Sequence, residues 1–254
     1  MLKYENISPG IFHNRPNRFI AEVEINGRLE QCHVKNTGRC KELLIPGVKV
    51  YVSRSDNPNR VTKYDLIAVE KGDRLVNIDS QAPNKVFMAY LKSGGYIDGI
   101  TYIKPEATHE DSRYDFYVEA GERKIYIEMK GVTLEKDGIA LFPDAPTERG
   151  VKHLQGLVRC VRNGCEAHVV FVVKMRGIQH FSPNCDIHPA FGAALVEAAR
   201  AGVHVKALGC EVAPDSLVID REIPVILPDC PLLRFPPGFE RFCQKQKNQN
   251  PRED

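Results

Sequence analysis

The sequence lacks the segments that would place a protein in or across a membrane. No run of about 18 apolar residues occurs in the chain, and a helix that crosses a bilayer needs such a run. The first ten residues, MLKYENISPG, do not contain the apolar stretch of a secretory signal peptide. We therefore expect a cytoplasmic protein that has no membrane partner.

Short motifs for cofactors and structural metals are also missing. The eight cysteines form no Cys-x-x-Cys pair and no zinc-finger spacing with histidine, and no three of them lie in one short run. We expect them to be free thiols of a reducing compartment. No glycine-rich nucleotide loop or Ser-His-Asp signature supports the alternative of a small-molecule enzyme.

Charge of one sign is not in excess either, because the net charge of the 254-residue chain is only +2. A polyanion would therefore have to bind a local basic patch and not an overall basic field. Hydrophobic residues make up 43% and charged residues 27% of the chain, which is ordinary for a soluble globular protein. The length fits one large domain or two modest ones.

The first third of the chain is predicted to be all-β. About five short alternating segments occupy residues 17–79, and Asn26-Gly27 is a strong signal for a tight hairpin turn. Closely spaced short strands of this number are typical of a small barrel. We assign residues 1–82 to a five-stranded OB-like barrel that binds nucleic acid.

Several polar and basic residues of the barrel lie near predicted loops and strand ends. The segment Asn36-Thr37-Gly38 has the composition of a tight turn and is followed by basic residues. These groups could contact phosphate, or they could be a plain turn on a solvated surface. The candidates for nucleic-acid contact are Arg18, Asn36, Thr37, Arg39 and Lys41.

Residues 83–235 are predicted to form an α/β domain. Apolar residues recur at helical spacing in 84–94, and a second helix is predicted to begin after Thr147, a natural N-cap. AHVVFVVKM is a continuous apolar run, as expected of a strand buried on both faces. Alternating strands and helices of this kind indicate an α/β fold. The polar segment 236–254 is predicted to be a disordered tail.

A hairpin over residues 113–130 contains the most informative polar residues. Both of its strands alternate between an apolar and a polar face. A turn centred between Gly121 and Glu122 would align Asp115 with Glu128, with Cβ atoms about 5 Å apart, and Arg113 with Lys130. A slip of one residue would destroy this alignment.

Two carboxylates so close together repel each other unless a cation lies between them. Mg²⁺ or Mn²⁺ suits such a pair, with waters and a substrate phosphate as further ligands. Lys130 could then hold a metal-bound water or offset charge on the phosphate. Glu106, one strand earlier, could be a third ligand. A polar strand face without a function is the alternative for all four residues.

The helix that begins after Thr147 carries further candidates. Its N-terminal backbone N–H groups attract phosphate, and Arg149, Lys152 and His153 lie on or near its polar side. Together with Arg113 they are predicted to contact a nucleic-acid backbone. The alternative is that they only solvate the helix.

Four segments together resemble the signature blocks of a known family. HVKNTGRCKELLIPG, SRYDF, EMKGVTLE and FPDAPTERGVKHL follow one another in this order, and they look like those of the sugar fermentation stimulation protein (SfsA) family. The resemblance runs from about residue 10 to residue 228. It implies an N-terminal OB-like domain, a C-terminal domain of the restriction-endonuclease-like PD-(D/E)xK type, and DNA binding.

Individual residues match the motifs of that family. Asp115 matches the aspartate of the nuclease motif, and Glu128 with Lys130 matches its Glu-x-Lys element. Glu106 matches an acidic position upstream of SRYDF, and residues 36–38 match the N-terminal block. Cys40 stands where an apolar residue such as Met is expected. The helix over 84–94 lacks the acid that many such nucleases have there.

Two functions remain open from the sequence. In the first, the chain is a Mg²⁺- or Mn²⁺-dependent nuclease with Asp115, Glu128 and Lys130 as catalytic residues. In the second, it is a DNA-binding regulator of sugar metabolism genes that does not cleave. DNA is the expected nucleic acid in both. The sequence leaves the oligomeric state open, and a homodimer is compatible with it.

Overall fold

A computed structural model describes residues 1–36, 38 and 40–228 of the chain. The predicted polar tail, 236–254, and the last residues of the predicted second domain lie outside the described residues, as do Thr37 and Arg39. The described part contains sixteen strands and three helices, arranged as a barrel and a larger α/β unit.

The predicted N-terminal barrel is confirmed. Five strands form it in the order β4-β3-β2-β5-β6, and parallel pairing of β4 with β6 closes it. Asn26 and Gly27 join β3 to β4 with φ angles of 52° and 75°, as a two-residue hairpin turn of this kind requires. The strands are β2 (Ile7–Asn17), β3 (Ile20–Ile25), β4 (Arg28–Val34), β5 (Lys49–Arg54) and β6 (Tyr64–Lys71), with β7 (Arg74–Asn77) added beside β6.

The C-terminal unit is built on a seven-stranded mixed sheet, as the predicted α/β class requires. Its strand order is β1-β16-β15-β13-β10-β9-β8. These strands are β1 (Leu2–Lys3), β8 (Ile100–His109), β9 (Ser112–Ala120), β10 (Arg123–Val132), β13 (Glu166–Val173), β15 (His204–Ala213) and β16 (Ser216–Ile223). A second sheet contains β11 (Leu134–Lys136), β12 (Ile139–Phe142) and β14 (His180–Pro183).

Helices cover both faces of the larger sheet. They are α1 (Ala82–Lys92), α2 (Glu148–Arg162) and α3 (Pro189–Arg200). Helix α2 begins as predicted, because the Thr147 hydroxyl accepts a hydrogen bond from the Gly150 N–H at 3.0 Å. Strand β13 contributes Val169 and Phe171 to the core beneath α2 and α3, and Val170 and Val172 to the core beneath α1. The prediction that this strand is buried on both faces is therefore confirmed.

The first strand does not belong to the barrel. Leu2 and Lys3 pair with Leu217 and Ser216 at the edge of the larger sheet, although the predicted boundary assigns residues 1–82 to the barrel domain. The reason is that β16 would otherwise present an unpaired edge, and β1 covers part of it. A pairing between such distant segments has no local signal in the sequence.

Contacts between charged groups join the barrel to the C-terminal unit. The buried Glu135 in β11 accepts from Lys71 of β6 at 2.7 Å and from Arg74 of β7 at 2.8 Å. The fully buried Lys174, directly after β13, donates to the Asp79 carbonyl oxygen at 2.9 Å. None of the helices in the described ranges combines the length and apolar character that a bilayer crossing takes.

Candidate functional site

The predicted register of the β9–β10 hairpin is confirmed near its turn. Residues 121 and 122 form the loop, and Ala120 pairs with Arg123. The paired residues continue without a shift to Phe116 and Ile127. The alignment inferred from the alternating polar faces therefore holds for the half of the hairpin next to the turn.

The hairpin pairing ends just before the predicted carboxylate pair. One carboxylate oxygen of Asp115, Oδ2, accepts a hydrogen bond from the Met129 N–H at 2.7 Å, so a side chain replaces the next backbone contact. The predicted pairing of Arg113 with Lys130 is wrong, because the pairing of β9 with β10 stops at Phe116 and Ile127. Arg113 pairs only with Thr108 of β8, on the other edge of β9. Its guanidinium lies exposed, 3.9 Å from Glu106.

A cavity of about 310 Å³ brings five predicted site residues together. Strands β9 and β10 supply Asp115, Glu128 and Lys130, and the first turns of α2 supply Arg149 and His153. The Thr147 cap sets where α2 begins and so places these two side chains over the strand ends. Two acidic and three basic side chains thus line one small polar cavity.

Glu128 is the most enclosed acid of the cavity, with 4% of its surface exposed. Its Oε1 accepts from the Lys130 ammonium at 2.5 Å and contacts His153 Nδ1. The Arg149 Nε donates to His153 Nε2 at 3.3 Å, which leaves the proton of a neutral His153 on Nδ1, facing Glu128. Burial alone would raise the pKa of Glu128, but His153 and Lys130 outweigh it and hold this pKa below its usual value.

Asp115, unlike Glu128, accepts hydrogen bonds only from uncharged groups of the described chain. Its Oδ1 accepts from the Asn84 amide of α1 at 2.7 Å, and its Oδ2 accepts from the Met129 N–H. Burial raises the pKa of Asp115, and the nearby charge of Glu128 raises it further, against these two hydrogen bonds. Asp115 therefore occupies a partly desolvated position close to a second carboxylate, that of Glu128.

Asn84 is a site residue that the sequence reasoning missed. The helix predicted over 84–94 has no acid. The residue present is an amide that donates to Asp115. Its signal was its position at the start of the helix, directly after Pro83, and an amide can orient a ligand carboxylate without binding the metal.

Three predicted residues of this domain do not reach the cavity. Glu106 is on β8 with a side chain that is 69% exposed, and its nearest charged contact is Arg113. Its φ of 53° places it in an irregular part of the strand, so strand alternation did not predict its direction. Lys152 lies exposed on α2, one residue before His153.

The predicted nucleic-acid contacts of the barrel also include residues that line a cavity and residues that do not. Asn36 and Gly38 line a second cavity of about 340 Å³, which adjoins the first and shares Ser80, Gly131 and Thr147 with it. Arg18 and Lys41 are exposed, and the Arg18 guanidinium lies 4.8 Å from the centre of the Phe19 ring. Thr37 and Arg39 are not among the described residues.

Arg15 holds the loop that carries Asn36 and Gly38. Its guanidinium donates to the Gly38 carbonyl at 2.7 Å and to the Asn36 carbonyl at 2.6 Å. The Asn36 side chain in turn accepts from the Gly38 N–H at 2.8 Å, as in a turn closed by asparagine. The tight turn predicted from Asn36-Thr37-Gly38 is therefore tied to β2, on which Arg15 lies.

The carboxylates of the first cavity fit a hard divalent cation. Both are oxygen donors, and burial followed by the charge of Glu128 raises the pKa of Asp115. Magnesium and manganese prefer such oxygen ligands, usually one or two carboxylates together with water. Asp115 and Glu128 are the residues that would hold the ion, with Asn84 and Met129 orienting Asp115.

Comparisons with known proteins agree with this architecture. A family model described as the SfsA N-terminal OB domain matches residues 14–78, and one described as the sugar fermentation stimulation protein RE domain matches residues 81–216. The chain is 59% identical over 216 residues to a sugar fermentation stimulation protein homolog of Desulfitobacterium hafniense (strain Y51), covering 85% of this chain and 94% of that protein.

Two further relatives extend the similarity. A homolog of the same name from Clostridium beijerinckii is 54% identical over 226 residues, which covers 89% of this chain and 100% of that protein. A solved structure, described as Pyrococcus furiosus SfsA in complex with Ca²⁺, superposes with a TM-score of 0.81 at 30% identity and covers 89% of this chain and 98% of that one. The chain therefore belongs to the sugar fermentation stimulation protein family.

Proposed function

We propose that the protein is a metal-dependent nuclease that hydrolyses phosphodiester bonds in DNA. The observation that supports this most strongly is the shared cavity of Asp115, Glu128 and Lys130. Two neighbouring acids and a lysine ammonium, largely removed from water, form a costly arrangement in a protein interior. Metal-dependent phosphodiester cleavage uses all three groups.

Each residue of the cavity has a role in this proposal. Asp115 and Glu128 would hold Mg²⁺ or Mn²⁺. When bound, such an ion lowers the pKa of a coordinated water and neutralises charge on the phosphate. Lys130 would position the attacking water and stabilise the negative charge that develops on phosphorus-bound oxygens. His153 keeps Glu128 oriented through its Nδ1–H.

The surrounding surface suits a polyanion. Arg149 is exposed at the start of α2, where backbone N–H groups also attract phosphate. The adjoining cavity runs from the first one to Asn36 and Gly38 of the barrel, and OB-type barrels bind single-stranded nucleic acid in many proteins. We infer that a DNA strand passes from the barrel loop to the carboxylates.

The Pyrococcus furiosus relative supports the choice of cation class. Its structure was determined with Ca²⁺, a hard divalent ion that prefers the same oxygen ligands as Mg²⁺. Calcium often occupies magnesium sites without sharing their strict geometry. We expect a hard divalent ion of this class to bind the present protein at Asp115 and Glu128.

The test is a cleavage assay with Mn²⁺ on single-stranded, double-stranded and branched DNA, with RNA of matched length for comparison. We expect metal-dependent cutting by the parent protein and its loss in Lys130→Ala. Lys124→Ala is the matched control, since Lys124 lies exposed on the same polar face of β10, near the other end of the strand. It should cut at the parental rate.

Two outcomes would contradict the proposal. Cutting that survives Lys130→Ala unchanged would show that another site is responsible. DNA binding without cutting, unaffected by metal and reduced by salt, would favour the non-catalytic regulator. Measuring binding by fluorescence anisotropy alongside cleavage separates these results.

A further inference from the structure

A second cluster of metal-ligating side chains lies elsewhere on the large sheet. Glu166 and His168 lie at the start of β13, and His204 is the first residue of β15. Parallel pairing sets His168 directly beside His204, and the two imidazole rings stack with centroids 4.5 Å apart. Glu166 is two residues before His168 and so shares its face.

The three side chains converge on one point. Glu166 Oε1 lies 2.7 Å from His168 Nε2 and 3.9 Å from His204 Nε2. One ligand atom from each residue lies within 4.8 Å of the other two. Ligands at about 2.05 Å from a tetrahedral ion are about 3.4 Å apart, so both contacts need to change by only about half an ångström.

Other residues hold two of these ligands in place. The Arg123 guanidinium donates from Nε to Glu166 Oε2 at 2.8 Å and from Nη2 to Oε1 at 2.7 Å. The Tyr96 hydroxyl lies 2.8 Å from His168 Nδ1. A partner on Nδ1 leaves Nε2 for the metal, and such outer contacts are typical of metal-ligating histidines and carboxylates.

This cluster is separate from the cavity of Asp115 and Glu128. Along β10, Ile127 pairs with His168, whereas the next residue, Glu128, pairs with Val169. Neighbouring residues of a strand point to opposite faces of the sheet. The histidines therefore lie on the α1 side of the sheet and Glu128 on the α2 side.

We propose that Glu166, His168 and His204 form a second metal site, selective for a late first-row transition ion such as Zn²⁺. Two imidazoles and one carboxylate are a ligand set of this class, whereas Mg²⁺ prefers oxygen alone. Three protein ligands leave a fourth position for water. A cavity of about 480 Å³ beside Glu166 and His204 supplies the space for it.

The charges in the cluster point to the same class of ion. Arg123 already neutralises Glu166, so a cation gains little from charge alone and depends on the imidazole nitrogens. Hard ions such as Mg²⁺ and Ca²⁺ are therefore disfavoured there. Binding would add a metal bridge between the starts of β13 and β15, which already meet there through backbone pairing and the stacked rings of His168 and His204.

The test is a Zn²⁺ titration by calorimetry, repeated with Co²⁺ for its visible absorption bands. The full chain carries Asp115→Asn and Glu128→Gln, so that the other cavity does not bind the ion. We expect one equivalent to bind, a melting temperature that rises with it, and intense bands of tetrahedral Co²⁺. Adding His204→Ala should weaken the affinity at least tenfold.

Two more variants make the result specific. Tyr96→Phe keeps all three ligands but removes an outer contact, and should weaken Zn²⁺ binding by about tenfold. His13→Ala is the matched control, because His13 is similarly exposed to His204 and lies 3.2 Å from Glu24 on the barrel. It should leave the affinity unchanged.

The proposal would be overturned by either of two results. The first is no stoichiometric Zn²⁺ binding in the double variant. The second is equal affinity after His204→Ala, or an equal loss after His13→Ala, which would mean scattered surface binding. His204 is half-exposed, so its alanine variant should fold, and its metal-free melting temperature checks this.

Discussion

Glu128 and Glu166 lie on neighbouring strands and have similar close partners. Glu128 contacts Lys130 and His153, and Glu166 contacts Arg123 and His168. Each is thus an acid held by one cation and one imidazole. The two clusters differ in the side chain beside that acid. It is the carboxylate of Asp115 in the first cluster and the imidazole of His204 in the second.

The pKa values of the acids show what this difference does. The hydrogen bonds from Arg123 lower the pKa of Glu166 to about 2, so its charge is satisfied within the protein. Burial and, after it, the charge of Glu128 raise the pKa of Asp115, so its ionised form is less favoured than that of Glu166. The first cluster therefore contains two carboxylates, whereas the single carboxylate of the second contacts Arg123 and His168.

The largest expected effect is on the rate of DNA cleavage, which should depend on Glu128 and not on Glu166. Glu128→Gln should lower the Mn²⁺-dependent cleavage rate by about 10²- to 10³-fold, the usual loss when one stabilising group of a reaction centre is removed. Glu166→Gln should leave the rate within about twofold, because Glu166 lies on the other face of the sheet. Initial rates at saturating DNA measure both. Equal losses would mean that the clusters act together.

A fully buried lysine, in the described part of the chain, shows what happens without a carboxylate partner at hydrogen-bonding distance. Lys174 donates to a carbonyl oxygen, and burial lowers its pKa to about 8. The unfolded chain, with a pKa of about 10.4, therefore binds this proton over a range in which the folded chain has released it. Stability should rise by about 2 kcal/mol between pH 8 and pH 10.5 relative to Lys174→Met.

Urea unfolding of the parent and of Lys174→Met across that range gives the difference. The comparison with the variant removes the contributions of other groups that titrate in the same range. A difference that does not change with pH would show that Lys174 keeps its proton or is well solvated.

Removing the charge of Glu166 and removing the charge of Asp115 should change the free energy of unfolding in opposite directions. Glu166→Gln should lower the free energy of unfolding by about 1 kcal/mol, because Arg123 and His168 lose a charged partner. Asp115→Asn should raise it by about 0.5 kcal/mol, since an amide removes the repulsion with Glu128 and its oxygen can still accept from Met129 N–H, while its NH2 can donate to the Asn84 amide oxygen once that amide flips. Chemical unfolding at pH 7 without metal tests the signs, and a loss at Asp115 would mean that its charge is already compensated.

The smallest expected effect concerns Glu106, which sequence matching places among the metal ligands. Its exposed position beside Arg113 predicts that Glu106→Gln changes cleavage and Mn²⁺ affinity by less than about twofold. A tenfold loss of Mn²⁺ affinity would instead show that β8 moves toward the carboxylates when the ion binds.

Local patterns predicted much of the fold. The barrel, helix α2 with its Thr147 cap, and the hairpin turn at 121–122 each depend on residues close together in sequence. The hairpin register failed only beyond Phe116. The alternation of polar and apolar residues gives the register of paired strands, but it does not show that the Asp115 side chain takes the Met129 N–H and ends the pairing.

Contacts between distant segments explain what sequence reasoning missed. Asn84 approaches Asp115 from a different element, and an amide there matches no motif for a metal ligand. His168 and His204 are neighbours only because β13 and β15 are parallel in one register. Their separation of 36 residues resembles no short metal-binding spacing.

The pairing of β1 with β16 has a consequence for how the chain folds. Leu2 and Lys3 cannot reach their final place until residues 216 and 217 have been synthesised and β15 has formed beside them. The barrel, whose pairings are much shorter in range, can close long before that. We therefore expect folding in two stages, fast for the barrel and slower for the large sheet, whose edge is completed by Leu2 and Lys3, a segment synthesised before the barrel.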